Sequence, residues 1–276
     1  MPALARLLSI AGSDPSGGAG AQADIKTFSA FGCYGMAVIT ALTAQNTQGV
    51  TRVSPVTPDM VAAQIDAIFV DIAVDAVKIG MLAGPDITIA VARALRRGGA
   101  RNIVLDPVLA PTSGEAFGED DAPAAIIEHL APLAALITPN LAEAAALTGT
   151  PQAQGVEDME AQARALVQAG AEAALVKGGH LDGAPIDVLF RRGALKIFSG
   201  VRVDTRQTHG TGCALSSAIA AGLGQGLALE DSIARAKTWL EHALIAGEEF
   251  RLGGGSGPPD HLWEFRVRKR RSLFDL

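Results

Sequence analysis

The run His209-Gly210-Thr211-Gly212-Cys213 has the composition of an anion site. Its two glycines let the backbone close on a ligand, and the amides of a helix starting there would point at negative charge. Cys213 places a thiol at that helix start, where the thiolate is favoured over its free value of about 8.5 and could accept a proton or act as a nucleophile. The same five residues would serve equally as a glycine turn entering a buried helix, with Cys213 as a small core residue.

Four other clusters pair polar residues with glycine or proline: Ala11-Gly12-Ser13-Asp14-Pro15-Ser16-Gly17-Gly18-Ala19-Gly20, Asp106-Pro107-Val108, Thr138-Pro139-Asn140 with Glu143, and Lys177-Gly178-Gly179-His180. Asn140 and Glu143 have the spacing of a helix N-cap with its reciprocal glutamate. Glu143 with Asp106 could instead hold Mg²⁺ and its waters over a polyphosphate. Lys177 could reach a phosphate, or lie along the surface at a strand end. Gln45 and Asp24, an amide and a carboxylate, could match the donor and acceptor edge of an aminated heterocycle, or cap local backbone. A P-loop and a GxGxxG fingerprint after the first strand are both absent, which weighs against a P-loop NTPase and an ordinary dinucleotide-binding protein.

The elements that must position these clusters follow from the runs before them. Leu7 to Ile10, Ala37 to Leu42, Ala76 to Ile79, Ile103 to Leu105, Leu136 to Thr138 and Ala173 to Lys177 are short, apolar and bounded by turn residues, as buried strands are. Thr57-Pro58-Asp59 and Gly84-Pro85-Asp86 open helices, the second stopping at Gly98 after Arg96 and Arg97. Strands alternating with helices predict a three-layer α/β/α fold around a mostly parallel sheet, with ligands at the strands' carboxyl ends. Asp187 to Arg191 and Leu195 to Phe198 flank Arg192-Gly193-Ala194 as an antiparallel edge hairpin, and residues 211 to 224 and 229 to 250 read as two consecutive helices.

Residues 1–252 read as one domain, and Gly253 to Pro259 as the boundary of a C-terminal extension, 253–276, with a basic tail from Arg266 to Arg271. The 276 residues carry 23 Lys and Arg against 29 Asp and Glu, a net charge of −6 that speaks against nucleic acid as a partner. No apolar run of about 18 residues predicts a membrane span. The two cysteines, Cys33 and Cys213, form no disulfide framework, and a cytoplasmic location with reduced thiols is expected. Thirty-one glycines, clustered in the loops just named, exceed the roughly 7% usual share.

Taken in order, the glycine loop with Gln22-Ala23-Asp24, Thr40-Ala41-Leu42 through Gln45-Asn46-Thr47, Lys78-Ile79-Gly80-Met81-Leu82, Asp106-Pro107-Val108, Thr138-Pro139-Asn140, Lys177-Gly178-Gly179-His180 and Thr208 to Cys213 resemble the hydroxymethylpyrimidine and phosphomethylpyrimidine kinases, within the ribokinase-like superfamily. The resemblance implies a ribokinase-like fold and an ATP- and Mg²⁺-dependent enzyme of thiamine biosynthesis. Such an enzyme phosphorylates a 4-amino-5-hydroxymethyl-2-methylpyrimidine and then its monophosphate. It implies that Ala19, Asp24, Gln45, Met81 and Val108 line the aminopyrimidine pocket, that Gly210, Thr211 and Gly212 form the anion hole, and that Cys213 replaces the aspartate base of sugar-kinase relatives. It carries Asn140, Lys177 and Thr208 to the ATP side and Asp106 and Glu143 to the metal, and it implies a homodimer. Two departures stand out: Thr112 replaces a lysine that contacts phosphate, which bears on the second transfer, and Gln207 replaces an asparagine. A pyridoxal or pyridoxine kinase and a noncatalytic pyrimidine-binding protein on the same fold are the alternatives.

Overall fold

The computed structural model describes residues 4–109, 121–179, 181, 183–250 and 252–266. Thr112, His180 and most of the basic tail thus lie outside the described residues. Among the described residues nine strands form one sheet: β1 (Arg6–Ser13), β2 (Tyr34–Asn46), β3 (Gly49–Pro55), β4 (Ala76–Ile79), β5 (Ile103–Leu105), β6 (Leu136–Ile137), β7 (Ala173–Lys177), β8 (Ile186–Arg191) and β9 (Ala194–Ser199). Their spatial order is β3-β2-β1-β4-β5-β6-β7-β8-β9. Strands β2 through β7 of that order pair in parallel, while β3, β8 and β9 run antiparallel at the two edges.

The expected edge hairpin is present as β8 and β9, turning at Arg192 and Gly193, both with positive φ as a tight two-residue hairpin requires. The other edge carries a second hairpin that sequence reading missed, β2 with β3. Its outer strand has only two apolar residues, Val50 and Val53, because an edge strand that is not covered needs no apolar face.

The helices are α1 (Gly20–Ala30), α2 (Pro58–Asp71), α3 (Pro85–Arg97), α4 (Ala122–Ala125), α5 (Leu141–Thr148), α6 (Val156–Gln168), α7 (Thr211–Gly224) and α8 (Leu229–Gly247). Thr57 caps α2, its hydroxyl accepting from the Met60 amide, with Pro58 in the first turn. Two apolar clusters flank the sheet. One packs β1, β4 and β5 against α2, α3, α5 and α6 through residues such as Ile10, Ile79, Val91 and Met159. The other packs Leu7, Val104, Leu136 and Leu175 against Phe28 of α1, Ile219 of α7 and Trp239 of α8. Strands buried on both faces read as continuous apolar runs, which is why β4 and β7 were legible. No helix among the described residues is long and apolar enough to cross a membrane.

Residues 257 to 261 are buried, and the segment returns along the carboxyl edge. The Gly255 amide donates to Thr47 Oγ1 (3.2 Å), His209 N–H to Gly257 O (3.0 Å), and Asp260 N–H to Ala243 O (2.8 Å). His261 ends this segment, 5% exposed with its Nε2 unpartnered, and burial beside Lys26 pulls its imidazole down to about 4. The folded state therefore keeps a neutral ring while the unfolded chain takes a proton below about 6.5, so His261 costs stability as pH falls through that window. At about 1.4 kcal/mol per pH unit, the loss between pH 6.5 and 4 is about 3 kcal/mol. Glu143, pushed up to about 7, acts oppositely over much of the same range. The difference between His261→Phe and the native chain isolates the effect: the variant should gain about 3 kcal/mol relative to the native protein on going from pH 7 to pH 4 in urea titrations. A constant difference would show that His261 stays neutral in both states.

Candidate active site

A cavity of about 1140 Å³ opens at the carboxyl ends of the parallel strands, beside the point where the chain switches from β2 on one side of β1 to β4 on the other. Ala19, Gln45, Met81, Val108, Asp106, Asn140, Glu143, Lys177, Thr208, Gly210, Thr211, Gly212 and Cys213 all line it. Asp24 does not. It lies behind the wall, fully buried.

The turn into α7 lies close to both ends of the site. Gly210 takes φ +75°, and a Cβ there would come within 1.9 Å of Gly18 O and 3.1 Å of Ala19 Cα, so only glycine lets the turn press against the first loop. A Cβ on Gly212 would meet Lys177 Nζ at 3.2 Å and an Asp106 carboxylate oxygen at 3.7 Å. The first-turn amides of α7 lack intrahelical acceptors; that of Thr211 donates to Thr208 O (3.4 Å), and Gly212 and Cys213 line this space. Cys213 departs from expectation. Burial pushes its thiol up to about 11; Lys78 draws it down, but Asp24 and Asp106 push it further up. A helix N-terminus contributes less than about 1 kcal/mol, under one pH unit, and burial among carboxylates outweighs it.

Asp106 accepts from Lys177 Nζ at 2.8 Å and Thr138 Oγ1 at 3.3 Å at the end of β5, while Ser216 Oγ, 3.3 Å away, lies closer to Gly212 O at 2.9 Å. Burial opposes its charge, but Lys177 and Lys78 hold its carboxyl below the ordinary value. Asn140 sits beside Lys177 across the strand ends. Asn140 and Glu143 form a complete capping box, Glu143 N–H to Asn140 Oδ1 at 2.9 Å and Asn140 N–H to Glu143 Oε2 at 2.8 Å. The helix-cap reading is thus realised, and it leaves Glu143 Oε1 available. Glu143 is raised to about 7 by burial, with Lys177 opposing and Asp106 reinforcing. Two buried carboxylates around one lysine leave a local excess of negative charge that a cation would relieve. Among the described residues no cluster of three or more His, Cys, Asp or Glu could cage a metal.

Several polar groups were not legible as site residues. Asp14 accepts from the amides of Ser16 (2.9 Å), Gly18 (3.1 Å) and Ala19 (2.8 Å) and from His209 Nε2 (2.9 Å), tying the first loop to the turn. Burial pushes its carboxyl up, yet these hydrogen bonds prevail and hold it at about 2. Lys78 Nζ pairs with Asp24 at 2.9 Å, both side chains fully buried, and Ser9 and Ser217 hydroxyls also donate to Asp24. A charged residue inside the apolar run Ala76–Ile79 was the one available signal that a buried partner exists. At the far end, Lys237 pairs with Asp187, and the Arg202 guanidinium donates to the carbonyls of Gly179, Leu181 and Gly183.

A mostly parallel sheet with antiparallel edges, a glycine loop after β1 and a thiol-bearing anion turn at the start of a buried helix define a ribokinase-like kinase. Solved structures agree. The ADP complex of Bacillus subtilis pyridoxal kinase superposes with a TM-score of 0.85 at 36% identity, covering 96% of this chain and 100% of that one. A phosphomethylpyrimidine kinase from Clostridium difficile superposes with 0.76 at 41% identity, covering 85% and 97%. Residues 14–260 match the phosphomethylpyrimidine kinase family model, and the hydroxymethylpyrimidine/phosphomethylpyrimidine kinase of Rhizobium meliloti is 52% identical over 256 residues, 92% of this chain and 96% of that protein. The chain belongs to the phosphomethylpyrimidine kinase family.

Proposed function

We propose that the protein transfers a phosphoryl group from ATP to the hydroxymethyl group of 4-amino-5-hydroxymethyl-2-methylpyrimidine, and then a second onto the monophosphate, in thiamine biosynthesis. The observation that carries this reading is the turn Gly210 to Cys213, which touches the Gly18–Ala19 loop at one end and Lys177 with Asp106 at the other. An alcohol held on the first side and a phosphate on the second would meet at the amides of α7.

Phosphoryl transfer asks mainly for positioning and charge neutralisation. In this reading Gln45, Met81 and Val108 hold the ring, and the first-turn amides of α7 stabilise charge on the moving phosphoryl group. Lys177, Asn140 and Thr208 serve the nucleotide side, and Cys213 takes the hydroxyl proton. Asp106 and the free oxygen of Glu143 would hold Mg²⁺, which supplies neutralisation of phosphate charge when bound. A cytoplasmic homodimer belongs to the same proposal.

A second reading, pyridoxal kinase, is favoured by the fold likeness to the Bacillus subtilis enzyme and to the Staphylococcus aureus pyridoxal kinase solved with pyridoxal, at a TM-score of 0.88 and 30% identity. ADP release measured with Mg-ATP and each of three acceptors, the pyrimidine alcohol, its monophosphate and pyridoxal, separates them. The expected order of kcat/KM puts the alcohol above pyridoxal, with measurable turnover of the monophosphate. A clear preference for pyridoxal would replace the first reading by the second, and ligand binding without ADP release would remove both.

A further inference from the structure

Three walls of the cavity come from distant parts of the chain: the loop after β1, the end of β2 and the turn into α7. Residues 253–260 touch all three without lining the cavity. The Gly257 carbonyl accepts from the amide of His209 (3.0 Å), the residue before the Gly210 turn. A Cβ on Gly18 would lie 3.4 Å from Pro258 Cβ, so the proline ring rests against the first glycine loop. The Gly255 amide donates to Thr47 Oγ1 (3.2 Å), two residues beyond cavity-lining Gln45. The far end is anchored on α8 by the Asp260 amide, which donates to Ala243 O (2.8 Å).

Glycine is needed where this strap presses hardest. A Cβ on Gly255 would lie 1.9 Å from Thr47 O and 2.9 Å from Gln48 Cα, both backbone atoms, and one on Gly257 would lie 1.8 Å from Gln207 Oε1. A Cβ on Gly254 would meet only Gln48 Nε2, at 3.2 Å, the movable end of an exposed side chain. Pro258 and Pro259 fix their own φ, which lowers the entropy lost when the strap docks. His209 passes the contact on: its Nε2 lies 2.9 Å from Asp14, whose carboxylate gathers the amides of Ser16, Gly18 and Ala19.

We infer that Gly255 and Gly257 are positioning residues, through which the strap 253–260 holds the anion turn, the first glycine loop and the end of β2 in the arrangement that seats the acceptor alcohol. The inference deepens the proposed function and rests on it. Its reach is one-sided. The strap bears on the walls assigned to the acceptor, whereas Lys177, Asn140 and Asp106 are held together by their own contacts at the ends of β5, β6 and β7. Loosening the strap therefore displaces the alcohol relative to the phosphoryl group and leaves the nucleotide side in place.

The test sets Gly255→Ala beside Gly254→Ala, the same change one residue away. In Gly255→Ala, kcat/KM for the alcohol should fall at least ~10-fold, since misplacement by about 1 Å can cost ~10²-fold, while KM for ATP stays within about twofold. Gly254→Ala should match the native protein within about twofold on both. Thr47→Val, which removes the acceptor of the Gly255 amide, should shift the same constants in the same direction, and Thr47→Ser should restore them. The Thr47 pair serves alone if Gly255→Ala does not fold. A purely structural role would lower the melting temperature and the fraction of active protein, and leave the constants per active molecule unchanged. Amide hydrogen exchange reads the strap without turnover: peptides covering residues 14–20 and 206–213 should exchange at least ~10-fold faster in Gly255→Ala, and those covering 140–148 and 173–177 at the native rate. Native-like kinetics on the alcohol in both Gly255→Ala and Thr47→Val, equal losses for alcohol and ATP, or unchanged exchange at both loops would overturn the inference. Absent turnover of the alcohol by the native protein would remove the proposed function alone, and the exchange rates then decide whether the strap holds the turn.

Discussion

Cys213→Ala is expected to lower kcat by at least ~10²-fold, the size usual for loss of a proton-transfer group, while KM for the alcohol moves within about twofold. The thiol lines the cavity at the first turn of α7, next to amides that would hold the phosphoryl group, so truncation removes chemistry and little binding surface. The pH dependence follows from the sign of its shift. A thiol held up near 11 is protonated across the neutral range, and a base must be deprotonated to act. Native kcat/KM should therefore rise about tenfold per pH unit between pH 7 and 9, and Cys213→Ala should be flat. Cys213→Asp, ionised throughout that range, should be flat too but more active than the alanine variant. ADP release followed against pH in the three proteins checks this. Near-native turnover in Cys213→Ala excludes the base role. A slow alanine variant beside a flat native profile assigns the thiol to hydrogen-bond donation instead.

The contrast between this thiol and its expected behaviour shows where sequence reading stops. Strands β4, β5 and β7 were read with their observed bounds, because strands covered on both faces need unbroken apolar runs between turn residues. The loops that border the cavity were read for the same reason: in a parallel sheet, glycine and polar residues at carboxyl ends have few other places to be. Local rules also gave the Asn140 and Glu143 capping box, since both partners lie within one helical turn. What escaped depends on distance along the chain. Asp14 meets His209 across 195 residues and Lys78 meets Asp24 across 54, and no periodicity records such pairs. The Cys213 thiol was misjudged because its environment is made by Asp24, Lys78 and Asp106, which arrive from three other elements. Gly253 to Gly255, read only as a boundary, lie against Thr47 and Gln48, a contact that composition could not foretell.

Lys78→Met is expected to cost about 3–5 kcal/mol of stability, because it leaves the Asp24 carboxylate buried without its countercharge. Both side chains are fully buried, and the remaining donors to Asp24 are neutral hydroxyls, Ser9 at 2.6 Å and Ser217 at 2.7 Å. For a chain of this size the melting temperature should fall by on the order of 10 °C. Burial opposes the charge on Lys78, yet Asp24 and the other nearby anions raise it above the ordinary lysine value, so Lys78 is charged across the neutral range. Adding Asp24→Asn should recover most of the loss, since the double variant buries no net charge, keeps an accepting oxygen for one serine and offers an N–H that the other serine's hydroxyl oxygen can accept. The double variant also tests what Asp24 does. If it touches the pyrimidine ring, as the family resemblance implies, KM for the alcohol should rise at least ~10-fold even in a well-folded double variant. If its work is to hold Lys78 in the cavity wall, KM should stay within about threefold, and because the double variant removes both the charge that draws the Cys213 thiol down and the one that pushes it up, the pH profile of kcat should move little. Calorimetric melting of the single and double variants, with steady-state kinetics on the double, decides between the two. The complete burial of Asp24 and its absence from the cavity wall favour the second outcome.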